Sequence, residues 1–376
     1  MNTVIPIENG NVLVAIRGFL RRLLETKVLD ALYVPLDTGS TVVPALVTDP
    51  ARLSLADPLA PIMPINGARA VSALTGKHAP ARIGAVLRSC EIRALIELVK
   101  LQQATLKSVL LVGVDCPGTY EVAGCVERGA WSVERRDISL AEHLSAAKEG
   151  RDPSLDGLPL RSACLMCVQP TPEHADIRLH LFGVDTTQGI PVTMPDEIAA
   201  QLGMTAAADG AAERQAVAER LIAARRQVRE KELAAIRAPM TSDGGIASLF
   251  AACIRCHNCM TACPICYCKT CLFKTTSFDH APEHYLTAAR RKGATRLLGD
   301  TLLFHMTRMN HMSASCVGCG MCTSACPSEI PVGAIFSAVG AQVQAAFNYM
   351  PGRNADEPLP LITFQANEWT EIGEEK

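Results

Sequence analysis

Seven cysteines fall within nineteen residues in the stretch CIRCHNCMTACPICYCKTC, 253 to 271. Cys253, Cys256, Cys259 and Cys263, followed by Pro264, spell C-x2-C-x2-C-x3-C-P, and Cys316, Cys319, Cys322 and Cys326, followed by Pro327, spell it again. In such a run three closely spaced thiolates bind three irons of a 4Fe-4S cube, and the fourth cysteine ligates the other cluster. The spacing therefore predicts one cluster on Cys253, Cys256, Cys259 and Cys326 and a second on Cys316, Cys319, Cys322 and Cys263. Soft iron and sulfide take soft thiolate ligands, and two-residue gaps let one tight loop present three of them with its backbone N–H groups turned toward the anionic cube. Gly318 and Gly320 suit that loop because glycine adopts left-handed backbone angles without steric cost. The prolines turn the chain out of the site. Zinc is the rival reading, but zinc ribbons use two CxxC pairs rather than three evenly spaced cysteines and a fourth before proline.

Eight of the sixteen cysteines remain: Cys90, Cys116, Cys125, Cys164, Cys167, Cys266, Cys268 and Cys271. IGAVLR (83 to 88) reads as a buried strand, EIRALIELVKLQQATL (91 to 106) as an amphipathic helix and SVLLVGVD (108 to 115) as a second strand, together a parallel βαβ unit. Cys90 and Cys116 follow these strands, at the carboxyl ends where open α/β sheets bind ligands. Free cysteine also packs as a small hydrophobe, and position alone does not choose between the two. SACLMC supplies a CxxC pair, Cys164 and Cys167, which reads as a redox pair, half a zinc site or half a cluster site. With Cys90 and Cys116 it makes a candidate third four-thiolate site. Cys266, Cys268 and Cys271 read as assisting a cluster, as a further site with Cys125, or as buried thiols, and their spacing does not choose among these. His257, His305 and His311 lack ligand-spaced partners, and Met306, Met309 and Met312 recur on one helix face, which reads as core packing.

The elements that must position these thiols are legible in outline. VLVAIRGFLRRLLETK (12 to 27) reads as a helix, ALYVPLD (31 to 37) and TVVPALV (41 to 47) as short strands, and DIRLHLFGVD (176 to 185) as another. An Ala/Arg/Glu helix over 211 to 237 reads as a solvated spacer, and Pro239 with TSDGG (241 to 245) marks a boundary. The insert between the two cysteine runs reads as helical, and VGAIFSAVGAQVQAAFNYM (332 to 350) as a further helix before a polar tail. The expected fold class is an α/β (α+β) N-terminal domain with a parallel βαβ unit, followed by a two-cluster ferredoxin-like domain with a helical insertion. The expected divisions are 1–205 for the α/β domain, 206–245 for a helical linker, 246–350 for the cluster domain and 351–376 for the tail.

A chain of 376 residues buries a real core, so cysteines are not needed as staples. Their clustering, and the lack of a charged-then-apolar leader at MNTVIPIENG, predict reduced thiols in the cytoplasm. A net charge of −2 and 4% aromatic residues give neither a basic field nor stacking platforms for nucleic acid. Apolar runs such as SVLLVGV fall short of the roughly 20 residues a membrane span needs. No GxGxxG or Walker run is present.

RSCEIRALIELVKLQ, VGVDCPGTYE, RSACLMC, CIRCHNCMTACPICYCKTC and HMTRMNHMSASCVGCGMCTSACPSEIP resemble the beta subunits of the coenzyme F420-reducing hydrogenase and formate dehydrogenase family, over roughly residues 30 to 365. DPLAPIMPINGAR (57 to 69) resembles that family's amino-terminal segment. The resemblance implies a first domain that binds a flavin, FAD, and a 4Fe-4S cluster, and supports Cys90, Cys116, Cys164 and Cys167 as that cluster's ligands. It implies electron relay between a catalytic partner subunit and coenzyme F420 or another carrier. The alternative is a pure relay subunit like those of heterodisulfide reductase, and the third reading is a zinc-stabilised scaffold.

Overall fold

The computed structural model describes residues 1–7, 10–76, 82–122, 133–155 and 157–360. The first half is built on seven strands: β1 Asn2–Pro6, β2 Ala31–Asp37, β3 Val42–Val47, β4 Ile83–Arg88, β5 Val109–Val114, β6 Ile177–Leu179 and β7 Gly189–Thr193, in the order β1-β7-β6-β5-β4-β2-β3. Strands β2, β4, β5 and β6 are parallel neighbours, and antiparallel pairs complete both edges. Every residue of β4 is buried, as a central strand covered on both faces requires. Pro35 is tolerated in β2 because its parallel pairing with β4 ends at Tyr33. The expected long strand at 176 to 185 is only the three residues of β6. Edge strand β1 and its neighbour β7 carry no alternation strong enough to read from sequence.

Helices α1 (Val12–Glu25), α2 (Ala68–Leu74), α3 (Ser89–Lys100), α4 (Val133–Glu149), α5 (Ser162–Leu165) and α6 (Asp196–Gln201) accompany the sheet. Helix α1 starts where Asn11 accepts the Val14 N–H at 3.1 Å, and it buries Ile16, Phe19, Leu20, Leu23 and Leu24. Helix α3 starts on Glu91, whose carboxylate accepts the Arg88 N–H at 2.9 Å and the Gly67 N–H at 2.8 Å. That contact ties the DPLAPIMPINGAR segment to the end of β4.

The long helix α7 (Ala211–Met240) differs from a solvated spacer. It buries Ala218, Leu221, Arg225 and Leu233. Arg225 reaches back to Asp152 and to the Pro117 carbonyl, so one cation of a charged helix is drawn inside by a carboxylate and a loop end. Beyond it come α8 (Gly245–Leu249), α9 (Asn258–Ala262), α10 (Pro282–Lys292), α11 (Thr301–Met312), α12 (Met321–Ser324) and α13 (Val332–Ala346). Ile92 and Leu95 of α3 share one core with Phe250, Phe304, Ile335 and Phe336, so the cysteine-rich half rests on the sheet's helix layer. The first described residues of the expected polar tail also dock there: Arg93 donates to the Pro351 carbonyl at 2.9 Å, and Gly352 N–H reaches buried Glu97 at 2.7 Å. Among the described residues no helix is long and apolar enough to cross a membrane.

Candidate metal centres

The two cysteine runs fold alike. Positions two and four beyond the first cysteine take positive φ in both: Arg255 (53°) and His257 (62°) in one, Gly318 (72°) and Gly320 (71°) in the other. Such left-handed residues turn successive N–H groups inward and create an anion-binding concavity. Arg255 N–H lies 3.3 Å from Cys253 Sγ, and the N–H groups of Gly318 and Met321 work against the burial-driven rise of the Cys316 and Cys319 pKa values. Gly320 is required twice over, since a Cβ there would lie 2.3 Å from Ala163 Cβ. The side chains in the first run are held by the insertion. Arg255 pairs with Asp300, and His257 stacks on Phe304 with ring centres 4.6 Å apart.

Cys253, Cys256, Cys259 and Cys326 line one small cavity. Cys263 turns away from it and is the electrostatic neighbour of Cys316, Cys319 and Cys322. The fourth cysteine of each run thus lies among the other run's first three.

Strands β4 and β5 pair Arg88 with Val114, so Cys90 and Cys116 stand level, each two residues past the paired ends. The CxxC segment is brought to the same place by Gly113 of β5, where a Cβ would lie 2.4 Å from Pro172. Cys90, Cys116, Cys164 and Cys167 line a cavity of about 220 Å³, and Cys316 and Cys319 line it too. Five guanidinium groups, from Arg88, Arg93, Arg161, Arg225 and Arg229, complete much of the wall. Arg161 Nη1 is buried with no protein acceptor. Asn66, from the segment before α2, opposes the rise at Cys319 with its side-chain amide. Four soft sulfur donors ringed by cations and spare N–H groups fit an anionic thiolate-bound iron–sulfide cube. Among the described residues no three His, Cys, Asp or Glu converge closely enough for one metal ion, and these thiols ring a volume instead of a point.

Burial pushes the thiols up, Cys116 and Cys319 to about 11 and Cys263 to about 12, with Cys90 and Cys322 also raised. Such thiols keep their protons at neutral pH until a metal displaces them, so loading the sites releases protons. Among the described residues the cysteines form no disulfide.

The remaining candidates divide. Cys266 neighbours Cys268 and Cys271, Cys268 is exposed, and Cys271 Sγ lies 3.8 Å from Met260 Sδ. Cys125 lies outside the described residues. Met309 and Met312 are buried as expected, whereas Met306 is 44% exposed. His311 is exposed, but His305 Nε2 comes within 3.2 Å of Cys253 Sγ while the ring stacks on Phe250 at 3.8 Å. Desolvation lowers the His305 pKa to about 4, so the ring is neutral. His305, Arg308 and the cavity arginines carry no spacing signal, because each reaches its thiol from a distant segment.

Sulfur sets of this kind define an iron–sulfur protein, and residues 249–330 match the 4Fe-4S dicluster domain family. Over nearly its whole length the chain is similar to the F420-dependent formate dehydrogenase subunit beta of Methanocaldococcus jannaschii, at 25% identity over 377 aligned residues and 93% of each chain. It is also 25% identical to the F420-dependent formate dehydrogenase 1 subunit beta of Methanococcus maripaludis, covering 75% of this chain and 76% of that one. A chain of the F420-reducing [NiFe] hydrogenase complex from Methanosarcina barkeri overlays with a TM-score of 0.42 at 13% identity, covering 62% of this chain and 92% of that one. The resemblance read from the cysteine segments holds along most of the sequence.

Proposed function

We propose that the chain is the iron–sulfur electron-transfer subunit of a cytoplasmic oxidoreductase complex of the formate dehydrogenase or hydrogenase beta-subunit type. In this reading Cys253, Cys256, Cys259 and Cys326 hold the first 4Fe-4S cluster, and Cys316, Cys319, Cys322 and Cys263 the second. Cys90, Cys116, Cys164 and Cys167 hold a third. The bound clusters would supply one-electron relay between a catalytic partner subunit and a flavin, coenzyme F420 or another carrier. The observation that carries the reading is the shared cavity: the four thiols of the first half and Cys316 and Cys319 of the second run line one wall-to-wall space. The third set therefore continues the ferredoxin pair instead of standing apart from it. The chain's own part is to hold the sulfurs apart, exclude water with Tyr349, Met350 and Pro351, and offset negative charge with buried arginines.

Iron and acid-labile sulfide per chain after anaerobic reconstitution test the reading. About twelve irons are expected, about eight would remove the third cluster, and zinc without sulfide would overturn the relay altogether. A second reading, a pure relay like the heterodisulfide reductase subunits, draws on the cavity size. About 220 Å³ suits a cube and is smaller than the roughly 300–1,000 Å³ of pockets that enclose drug-sized ligands. A releasable flavin in the visible spectrum decides for the first reading, and its absence from the reconstituted complex for the second.

A further inference from the structure

We propose that Arg308 is an electrostatic bridge between the two ferredoxin-type sulfur sets, a buried cation that favours the reduced state of both clusters at once. The inference rests on the cluster assignment above. Arg308 projects from α11 and is 4% exposed. Its Nη1 donates to Cys259 Sγ at 3.0 Å and its Nη2 to the Cys259 carbonyl at 3.1 Å, which anchors it on the first set. The guanidinium lies 5.5 Å from the Phe304 ring centre and 4.9 Å from that of Phe336. Its other electrostatic neighbours are Cys263 and Cys322 of the second set and Cys266. Among the described residues no carboxylate forms an ion pair with it, and its Nε is buried without a partner.

A buried guanidinium without a counterion is expensive, because taking a charge out of water costs several kcal/mol unless an opposite charge compensates. The compensating anions are the thiolates that the folded, loaded protein would hold on either side. The aromatic faces add cation–π attraction and keep water out, which lowers screening. Each electron a cluster takes up adds one negative charge, and a fixed cation between two clusters favours that uptake in both. Net charge and hydrogen bonds to sulfur are among the levers that set cluster potentials.

The test uses the full chain, reconstituted anaerobically, with Arg308→Gln, Arg308→Met and Arg308→Lys. Iron and sulfide report loading, and EPR-monitored titration reports the midpoint of each ferredoxin-type cluster. The neutral variants are expected to load and to shift both midpoints negative, by at least a tenfold change in reduced-to-oxidised ratio, 59 mV for one electron. Arg308→Lys is expected to restore most of the shift. Midpoints unchanged in loaded neutral variants would overturn the proposal, as would a shift confined to the cluster on Cys259. Loading by Arg308→Lys but by neither neutral variant supports a requirement for the cation, and failure of all three to load reduces Arg308 to packing and overturns it. Wild-type protein that takes up no iron and sulfide refutes the cluster assignment itself, a distinct result.

Discussion

Replacing Glu97 by Gln should open the cavity without touching a sulfur. Glu97 is fully buried; Tyr349 OH lies 2.7 Å from both carboxylate oxygens, Gly352 N–H 2.7 Å from one, and Lys100 Nζ 3.2 Å away. Glutamine keeps the shape and removes the charge, leaving Lys100, whose side chain is 2% exposed, with Glu357 at 3.4 Å as its remaining carboxylate. Breaking a buried pair outright costs about 3–5 kcal/mol, and the surviving Glu357 contact brings the expected loss to about 2–4 kcal/mol. The loss falls on the docking of residues 349 to 352, and Tyr349, Met350 and Pro351 line the cavity beside Cys90 and Cys316. At about 3 kcal/mol the undocked fraction rises on the order of a hundredfold, since every 1.4 kcal/mol is tenfold. Anaerobic iron release to a chelator and limited proteolysis of the C-terminal segment should both accelerate in E97Q. Wild-type rates in both assays, with an unchanged melting temperature, would refute the claim that this carboxylate holds the tail over the cavity.

Three further outcomes are expected. The double substitution Cys164→Ser, Cys167→Ser should lower iron by about four per chain and leave the ferredoxin-type signals in place; loss of all iron would show that the sets do not load separately. Gly320→Ala combines φ +71° with a Cβ 2.3 Å from Ala163, so a denaturant midpoint lower by the equivalent of about 2–4 kcal/mol is expected. Desolvation lowers the His180 pKa from 6.5 to about 4, so the unfolded chain binds the extra proton between those values and stability falls as pH drops from about 6.5 toward 4. His180→Gln should flatten that part of the melting-temperature profile, and an unchanged slope would assign it to other groups.

The two cysteine runs were legible because cluster chemistry demands a fixed spacing, and the expectation of a crossed grouping needs no distant contact to be read. The βαβ unit was legible because buried parallel strands are continuous apolar runs. Cys90, Cys116, Cys164 and Cys167 were legible as a candidate set from the two strand ends and the CxxC pair, but what brings them to one cavity was not, because it depends on the register of β4 with β5 and on Pro172 packing against Gly113. The arginines were least legible of all. Arg225 sits in a helix whose composition is that of a solvated face, and partners far away in sequence, Asp152 and the Pro117 carbonyl among them, draw it inside.

The two runs also differ in a way that motif matching hides. Both need left-handed residues at the same two positions, yet only the second has glycine there; Arg255 and His257 carry a strain of about 1–2 kcal/mol per residue that something must offset. The offset comes from the insertion, through Asp300 and Phe304, so the helices between the runs are part of what shapes the first run. The second run is shaped from the other side, by Ala163 against Gly320 and by Arg161, which donates to the Cys319 carbonyl at 3.0 Å. On the relay proposed above this gives the chain of sulfur sets a direction. The third set adjoins the second past the carboxyl ends of β4 and β5, and the first lies at the insertion end, where Ile254 is 60% exposed and Cys256 reaches the surface. A partner that exchanges electrons with the first set therefore meets the insertion, while a carrier serving the third set meets the carboxyl ends of β4 and β5.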